Sequence, residues 1–190
     1  MRYEKNLVLG IALSCMLLAV GCGASIMVPA QRVKEIPPGY ALVTFIRATS
    51  FGGAIDFGIW DGENLVGVLD PKAYIQYFAP AGEHVFIARA ENWSYVRANL
   101  EAGRAYHILA NVTMGVWKAR VVLRPIHAND TQYTKQHVDG WLASLRPTMP
   151  DPQQAAAYAQ PRIDHIRQGI ALYTSGQAQY EVLEATDYYR

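Results

Sequence analysis

The strongest constraint on this chain is a series of short β-rich runs between Tyr40 and Ile126, each closed by glycine, proline or a polar turn. The clearest run is the last, Gly115 to Ile126. In it Trp117, Ala119, Val121 and Leu123 face one way, and Lys118, Arg120, Val122 and Arg124 the other. Successive strand side chains point to opposite faces, so this period of two predicts one buried and one solvated face. Earlier runs are Tyr40–Arg47, Ala54–Trp60, Leu65–Leu69, Ala73–Phe78, His84–Ala90, Tyr95–Leu100 and Ala105–Ala110. Asp61-Gly62, Pro80-Ala81-Gly82-Glu83 and Glu101-Ala102-Gly103-Arg104 supply turns between them. Strands at this spacing predict a mainly β fold, an antiparallel β-sandwich of about eight strands over residues 40–127.

Beyond Arg124-Pro125 the period changes, and residues 128–190 read as a helical C-terminal extension. Asn129 or Asp130 can cap a helix carrying Tyr133, Val138, Trp141, Leu142 and Leu145, which Pro147 and Pro150 stop. Asp151-Pro152 places a cap before proline at the first helical position, and Pro161 should bend or break the helix that follows. Ile163, Ile166, Ile170 and Tyr173 then form an apolar stripe ending near Gly176, while Gln177 to Arg190 supports no single assignment. Such a stripe needs a cover. It either lies on the protein's own sandwich or faces a partner.

The chain has two cysteines, Cys15 and Cys22, both near the N-terminus. Arg2 and Lys5 give a positive start, and Leu7 to Val20 is almost wholly apolar and uncharged. As a helix that run rises about 21 Å, too short for a hydrocarbon core of about 30 Å. Residues 1–21 therefore read as a secretory signal peptide. Ala19-Val20-Gly21-Cys22 resembles a bacterial lipobox, although Ala19 stands where such boxes usually have leucine. The resemblance implies that Cys22 is acylated and becomes the first mature residue, and that residues 22–39 are a lipidated tether. Gly23 and Ala24 follow the cysteine instead of aspartate, which implies the outer membrane, facing the periplasm. Without residues 1–21, basic and acidic residues are equal in number, which gives no support for nucleic acid as a partner.

Pro37-Pro38-Gly39-Tyr40-Ala41-Leu42-Val43, Trp60-Asp61-Gly62, Pro80-Ala81-Gly82-Glu83-His84 and Leu100-Glu101-Ala102-Gly103-Arg104-Ala105-Tyr106 stand in an ordered series. In that order they resemble a family of uncharacterised bacterial lipoproteins with a compact β-sandwich, related to PEGA-type and transthyretin-like domains. The resemblance covers about Pro37 to Ile126. It implies a fold and an envelope address, and it supplies no catalytic residues.

The sequence lacks His-Glu-x-x-His, a Gly-x-Ser-x-Gly elbow and a phosphate loop ending in Gly-Lys-Ser/Thr. Phe51-Gly52-Gly53 precedes a strand and not a helix, so it reads as a hairpin connection. His84 and His107 fall in predicted strands, with a packed or surface role; His127 and Asp130 are metal-compatible but lie on a loop. No enzyme, cofactor or metal is expected. Lys118, Arg120 and Arg124, widened by Arg97 or Arg89, form a basic row that could meet anionic lipid or wall polymers; a solvated sheet face is the plainer reading. Trp60 and Trp93 lie at strand ends, where rings either stack on sugars or enter the core.

Together these readings describe an outer-membrane lipoprotein anchored through the acyl chains on Cys22. Its expected role is a non-enzymatic structural or protein-interaction module, an accessory subunit of a larger assembly. The partner would be an envelope protein or a second copy. The alternative is a β-sandwich that binds glycan or lipopolysaccharide.

Overall fold

The computed structural model describes residues 25–52, 55, 57–114 and 119–189. The proposed signal peptide and Cys22 lie outside them, as do Trp117 and Lys118. Among the described residues the chain forms two stacked sheets. Its strands are β1 (Met27–Pro29), β2 (Tyr40–Arg47), β3 (Gly58–Asp61), β4 (Asn64–Val68), β5 (Ala73–Pro80) and β6 (Gly82–Arg89). They continue as β7 (Trp93–Leu100), β8 (Ala105–Met114), β9 (Ala119–Pro125), β10 (Arg146–Pro150) and β11 (Glu181–Leu183). Three helices follow β9: α1 (Lys135–Ser144), α2 (Pro152–Ala159) and α3 (Ile163–Thr174), with a 3₁₀ turn at Gln160–Arg162. One sheet has the order β1-β10-β5-β2-β8-β9, the other β11-β7-β6-β3-β4.

The architecture is mainly β, in two sheets, but with more strands than about eight and with mixed rather than purely antiparallel pairing. β2–β8, β5–β10 and β7–β11 are parallel. The extra strands come from segments read as tether and as helical extension. β1 lies within residues 22–39 and pairs with β10. β10 and β11 lie within residues 128–190, and each joins a sheet edge. Pro147 and Pro150, read as helix stops, sit inside β10, where the extended backbone suits proline's fixed φ.

Alternation sets the faces. Ala41, Val43 and Phe45 of β2 point into the sandwich and are fully buried, as are Val121 and Leu123 of β9, while Arg120 and Val122 are exposed. Phe45 meets Phe86 of the facing sheet edge to face, ring centroids 5.1 Å apart. Burying side chains of this size stabilises the fold by about 1.5–3 kcal/mol each.

Two polar devices hold the sandwich. Arg47 is fully buried, and its guanidinium donates to the carbonyls of Phe51, Gly52, Ile55 and Leu69 at 2.7–3.1 Å. It thereby ties down the β2–β3 connection. Between the sheets, the Tyr77 hydroxyl donates to Asp61 Oδ2 at 3.0 Å, and His84 Nδ1 donates to the same oxygen at 2.8 Å. His84 Nε2 faces the Pro80 carbonyl at 2.8 Å, so both ring nitrogens meet acceptors, which the protonated imidazole satisfies. The bond to Asp61 raises the His84 pKa above its ordinary value against the opposing effect of burial. Burial above all, reinforced by Asp61, raises Tyr77.

Candidate functional site

The outward residues of β2 are Leu42, Thr44 and Ile46, on the face of the six-stranded sheet away from the sandwich core. Register places Gln76 of β5 and His107 of β8 directly beside Thr44, making a polar row across three strands. One step along, Ile46, Tyr74 and Leu109 pack with Val138 and Leu142 of α1. Residues 30–36 pass over the polar row, and the Val33 amide donates to Gln76 Oε1 at 2.7 Å. Tyr189, from the C-terminal end, stacks on His107 at 5.4 Å between centroids. These segments enclose a cavity of about 260 Å³ whose lining includes Thr44, Gln76, His107 and Tyr189. Its charged groups are the exposed Arg32, Lys34, Lys135 and Asp139.

The inner groups are unusual in having no partners. Thr44 is fully buried and His107 is 6% exposed, and neither Thr44 Oγ1 nor His107 Nδ1 has a hydrogen-bond partner among the described residues. A buried polar group left unpaired costs about 1–3 kcal/mol. Native proteins keep few of them, often where a ligand or a chemical task supplies the missing partner. Burial pulls the His107 pKa down to about 4, helped by Arg32 and Lys135 and opposed by Asp139. The ring is neutral at pH 7, so one nitrogen accepts and the other donates. Lys135 and Asp139 are paired at 2.8 Å, one helical turn apart. The cavity thus combines a neutral donor–acceptor floor with a cationic surround, an arrangement suited to holding a polar anion.

The residues singled out in the sequence do not converge on this cavity. Arg120 is exposed on β9. Arg124 Nη2 donates to Asp130 Oδ2 at 3.0 Å, and the guanidinium lies over Tyr133 at 4.5 Å. Arg124 is therefore engaged within the chain. Asp130 accepts from Arg124 while His127 bonds Asp187 at 2.8 Å, so the two side chains are turned to different partners.

The apolar stripe is covered from within. Ile166, 2% exposed, packs with Trp60, Ile87 and Tyr95 on the outer face of the five-stranded sheet, and Ile163, Ile170 and Tyr173 join the same cluster. Of the two covers open to the stripe, its apolar side meets the chain's own sheet, with Ile166 buried and Ile163, Ile170 and Tyr173 partly buried. Trp60 is 1% exposed, and a Cβ on Gly169 would come within 2.5 Å of the Trp93 ring. Neither ring is a free platform for sugars. A second crevice of about 230 Å³ beside α3 contains Arg89 and Arg162. There Arg89 donates to His165 Nε2 at 3.0 Å and lies over Trp93, while Arg162 lies over Tyr158 and donates to its carbonyl.

Thr44, Gln76 and His107 escaped sequence reading because nothing in local spacing shows that β8 pairs parallel to β2. The available signal was a polar residue with apolar outward neighbours on its own strand: Thr44 between Leu42 and Ile46, and His107 between Ala105 and Leu109. No known family model, curated protein or solved structure matches the chain.

Proposed function

We propose that this protein is a lipid-anchored module of the bacterial envelope that binds a small anionic ligand without chemically transforming it. The observation that carries the binding reading is the pair of buried, unpartnered groups, Thr44 Oγ1 and His107 Nδ1, in a cavity surrounded by Arg32, Lys34 and Lys135. The α3 stripe, the surface considered for docking a partner, packs against the chain's own sheet and gives the protein-interaction role no support from that face. Anionic recognition keeps the lipopolysaccharide alternative within this function, through its charged groups rather than through aromatic stacking on sugar rings.

The anchor follows from the lipobox-like segment ending at Cys22. Met27 begins β1, and five residues of extended chain reach at most about 18 Å, so an acyl group on Cys22 would hold the sandwich close to the bilayer. Several acyl chains anchor far more firmly than one. Cys22→Ala should abolish metabolic labelling with a fatty acid while Cys15→Ala leaves it. Labelling that survives Cys22→Ala defeats the anchor.

For the binding site, titration of the protein with phosphate, sulfate and acetate should shift the NMR signals of Thr44, Gln76 and His107 together. Replacing Arg32 and Lys34 by alanine should weaken binding and flatten its salt dependence, because exposed charges are screened within about 8–10 Å near physiological ionic strength. Shifts confined to Arg120 and Arg124, or absent altogether, would refute the site.

A further inference from the structure

We infer that the ligand of the His107 cavity is an organic phosphate monoester with an apolar substituent, and that its arrival brings a proton onto His107. This rests on the binding function proposed above and concerns the same site.

The first argument is charge. Arg32, Lys34 and Lys135 bring three positive charges to the cavity, and Asp139 returns one negative charge. Two positive charges remain, which a phosphate monoester dianion balances and a carboxylate only half balances. The phosphoryl group also offers three strong acceptor oxygens. Those oxygens can be shared among the cationic side chains, the Thr44 hydroxyl and an imidazole N–H, and hydrogen bonds between ionised groups are the strong ones.

The second argument is shape and polarity. The Val33–Gln76 hydrogen bond forms a common wall with an adjoining crevice of about 240 Å³. That crevice is lined largely by Ala30, Phe78, Pro147 and Met149, and it is predominantly apolar. An ester group extending from the phosphate past Val33 would meet this surface. A ligand with phosphate alone would leave it unused.

The third argument concerns the proton. His107 is faced by Arg32 and Lys34 from the segment before β2, by Lys135 and Asp139 from α1, by Tyr189 from the C-terminal end, and by Thr44 and Gln76 from its own sheet. Burial and the cations keep the ring neutral, with Asp139 alone acting against them. A dianion seated among the same cations cancels their field at the ring and sets a negative charge beside it. An opposite charge at this range favours the protonated imidazole. Protonated, His107 carries a proton on both nitrogens, and the ring becomes a cation beside the phosphate. The proton comes from solvent, and no covalent bond is made or broken.

The test is calorimetric titration of the full chain in two buffers of different ionisation heat, near about pH 6, where an ordinary histidine titrates. The probes are dihexanoyl phosphatidic acid for a lipid source, glucose 6-phosphate for a soluble one, and hexanoate as the carboxylate control. Phosphatidic acid should bind at least about tenfold more tightly than either of the others. Wild type should take up more protons per ligand than His107→Asn, by up to about one; the phosphate's own titration cancels in that difference. In wild type, the imidazole ¹⁵N shifts of His107 should move to the protonated position on binding, which reads the same event without a variant. Equal affinity for glucose 6-phosphate overturns the apolar substituent, and equal affinity for hexanoate overturns the phosphate. Binding with unmoved His107 shifts overturns the proton uptake and leaves the binding site standing. Failure of all three probes to bind overturns the binding function itself.

Discussion

The two sheets each have an outer face to cover, and the chain covers them by opposite means. On the five-stranded sheet, α3 lays Ile166 over Trp60, Ile87 and Tyr95, and Gly169 lets the helix approach the Trp93 ring. On the six-stranded sheet, α1 covers one apolar row, but beside it Thr44 and His107 lie under residues 30–36 and Tyr189 without hydrogen-bond partners. The first cover gains from burying apolar side chains. The second surrenders part of that gain at one polar row. Sites that bind or react are where proteins depart from the most stable choice, so the contrast sets a stabilising face against the one proposed as the working face.

The largest effect should fall on the stabilising face. Ile166→Ala should lower unfolding free energy by about 2–5 kcal/mol, the usual range for truncating a large buried aliphatic side chain. Urea denaturation measures it, and a loss no greater than that of an exposed α3 residue such as Leu172 would mean that α3 is not docked.

The next effect belongs to the working face and appears in acid. The folded His107 pKa, lowered to about 4, lies below the ordinary value of 6.5, so the unfolded chain binds the proton first as pH falls. Stability from this group is complete above pH 6.5 and is lost as pH falls toward 4. The loss by pH 4 is about 3 kcal/mol, since each pH unit between the unfolded and folded values counts for about 1.4 kcal/mol. His107→Asn should flatten that limb of the stability–pH curve; an unchanged limb would assign it to other groups.

Thr44→Val sharpens the comparison further. It removes the unpartnered hydroxyl at nearly constant volume, so it should raise stability by about 1 kcal/mol in the absence of ligand while weakening anion binding. A destabilised variant would mean that Thr44 contributes to the fold through its hydroxyl.

The smallest effect lies at the other end of the pH scale and on neither outer face. His84, raised by its bond to Asp61, contributes stability that is fully present below its unfolded value of 6.5 and lost as pH rises through its higher folded value. His84→Gln should remove this alkaline decline and leave the acid limb with His107. Thermal melts across both limits separate the two histidines.

The sequence made the long elements legible. Alternation marks the buried Val121 and Leu123 against the exposed Arg120 and Val122. Asp151 caps α2 as its place before Pro152 predicts, accepting from the amides of Gln153 and Gln154. The short strands were not legible. β1, β10 and β11 have three to five residues, and two of them contain proline. Segments so short have no period of their own; the neighbouring strand imposes their extended form. The site was hidden for a related reason. Thr44 and His107 meet only through the parallel β2–β8 pair, whereas Lys118, Arg120 and Arg124 share a face locally and so stand out in the sequence.

The late position of β10 and β11 also sets an order in time. β10 sits between β1 and β5, and β11 forms the outer strand beside β7, so both sheets are completed by residues near the C-terminus. Pairings between segments this distant in sequence close slowly, because the entropy of the intervening loop is lost before the contacts form. A chain cut short before Glu181 would leave the β7 edge of hydrogen-bonding groups open, and one cut before Arg146 would open the β5 edge as well. Such edges invite pairing with other chains. Incomplete products of this protein should therefore aggregate unless proteases remove them first.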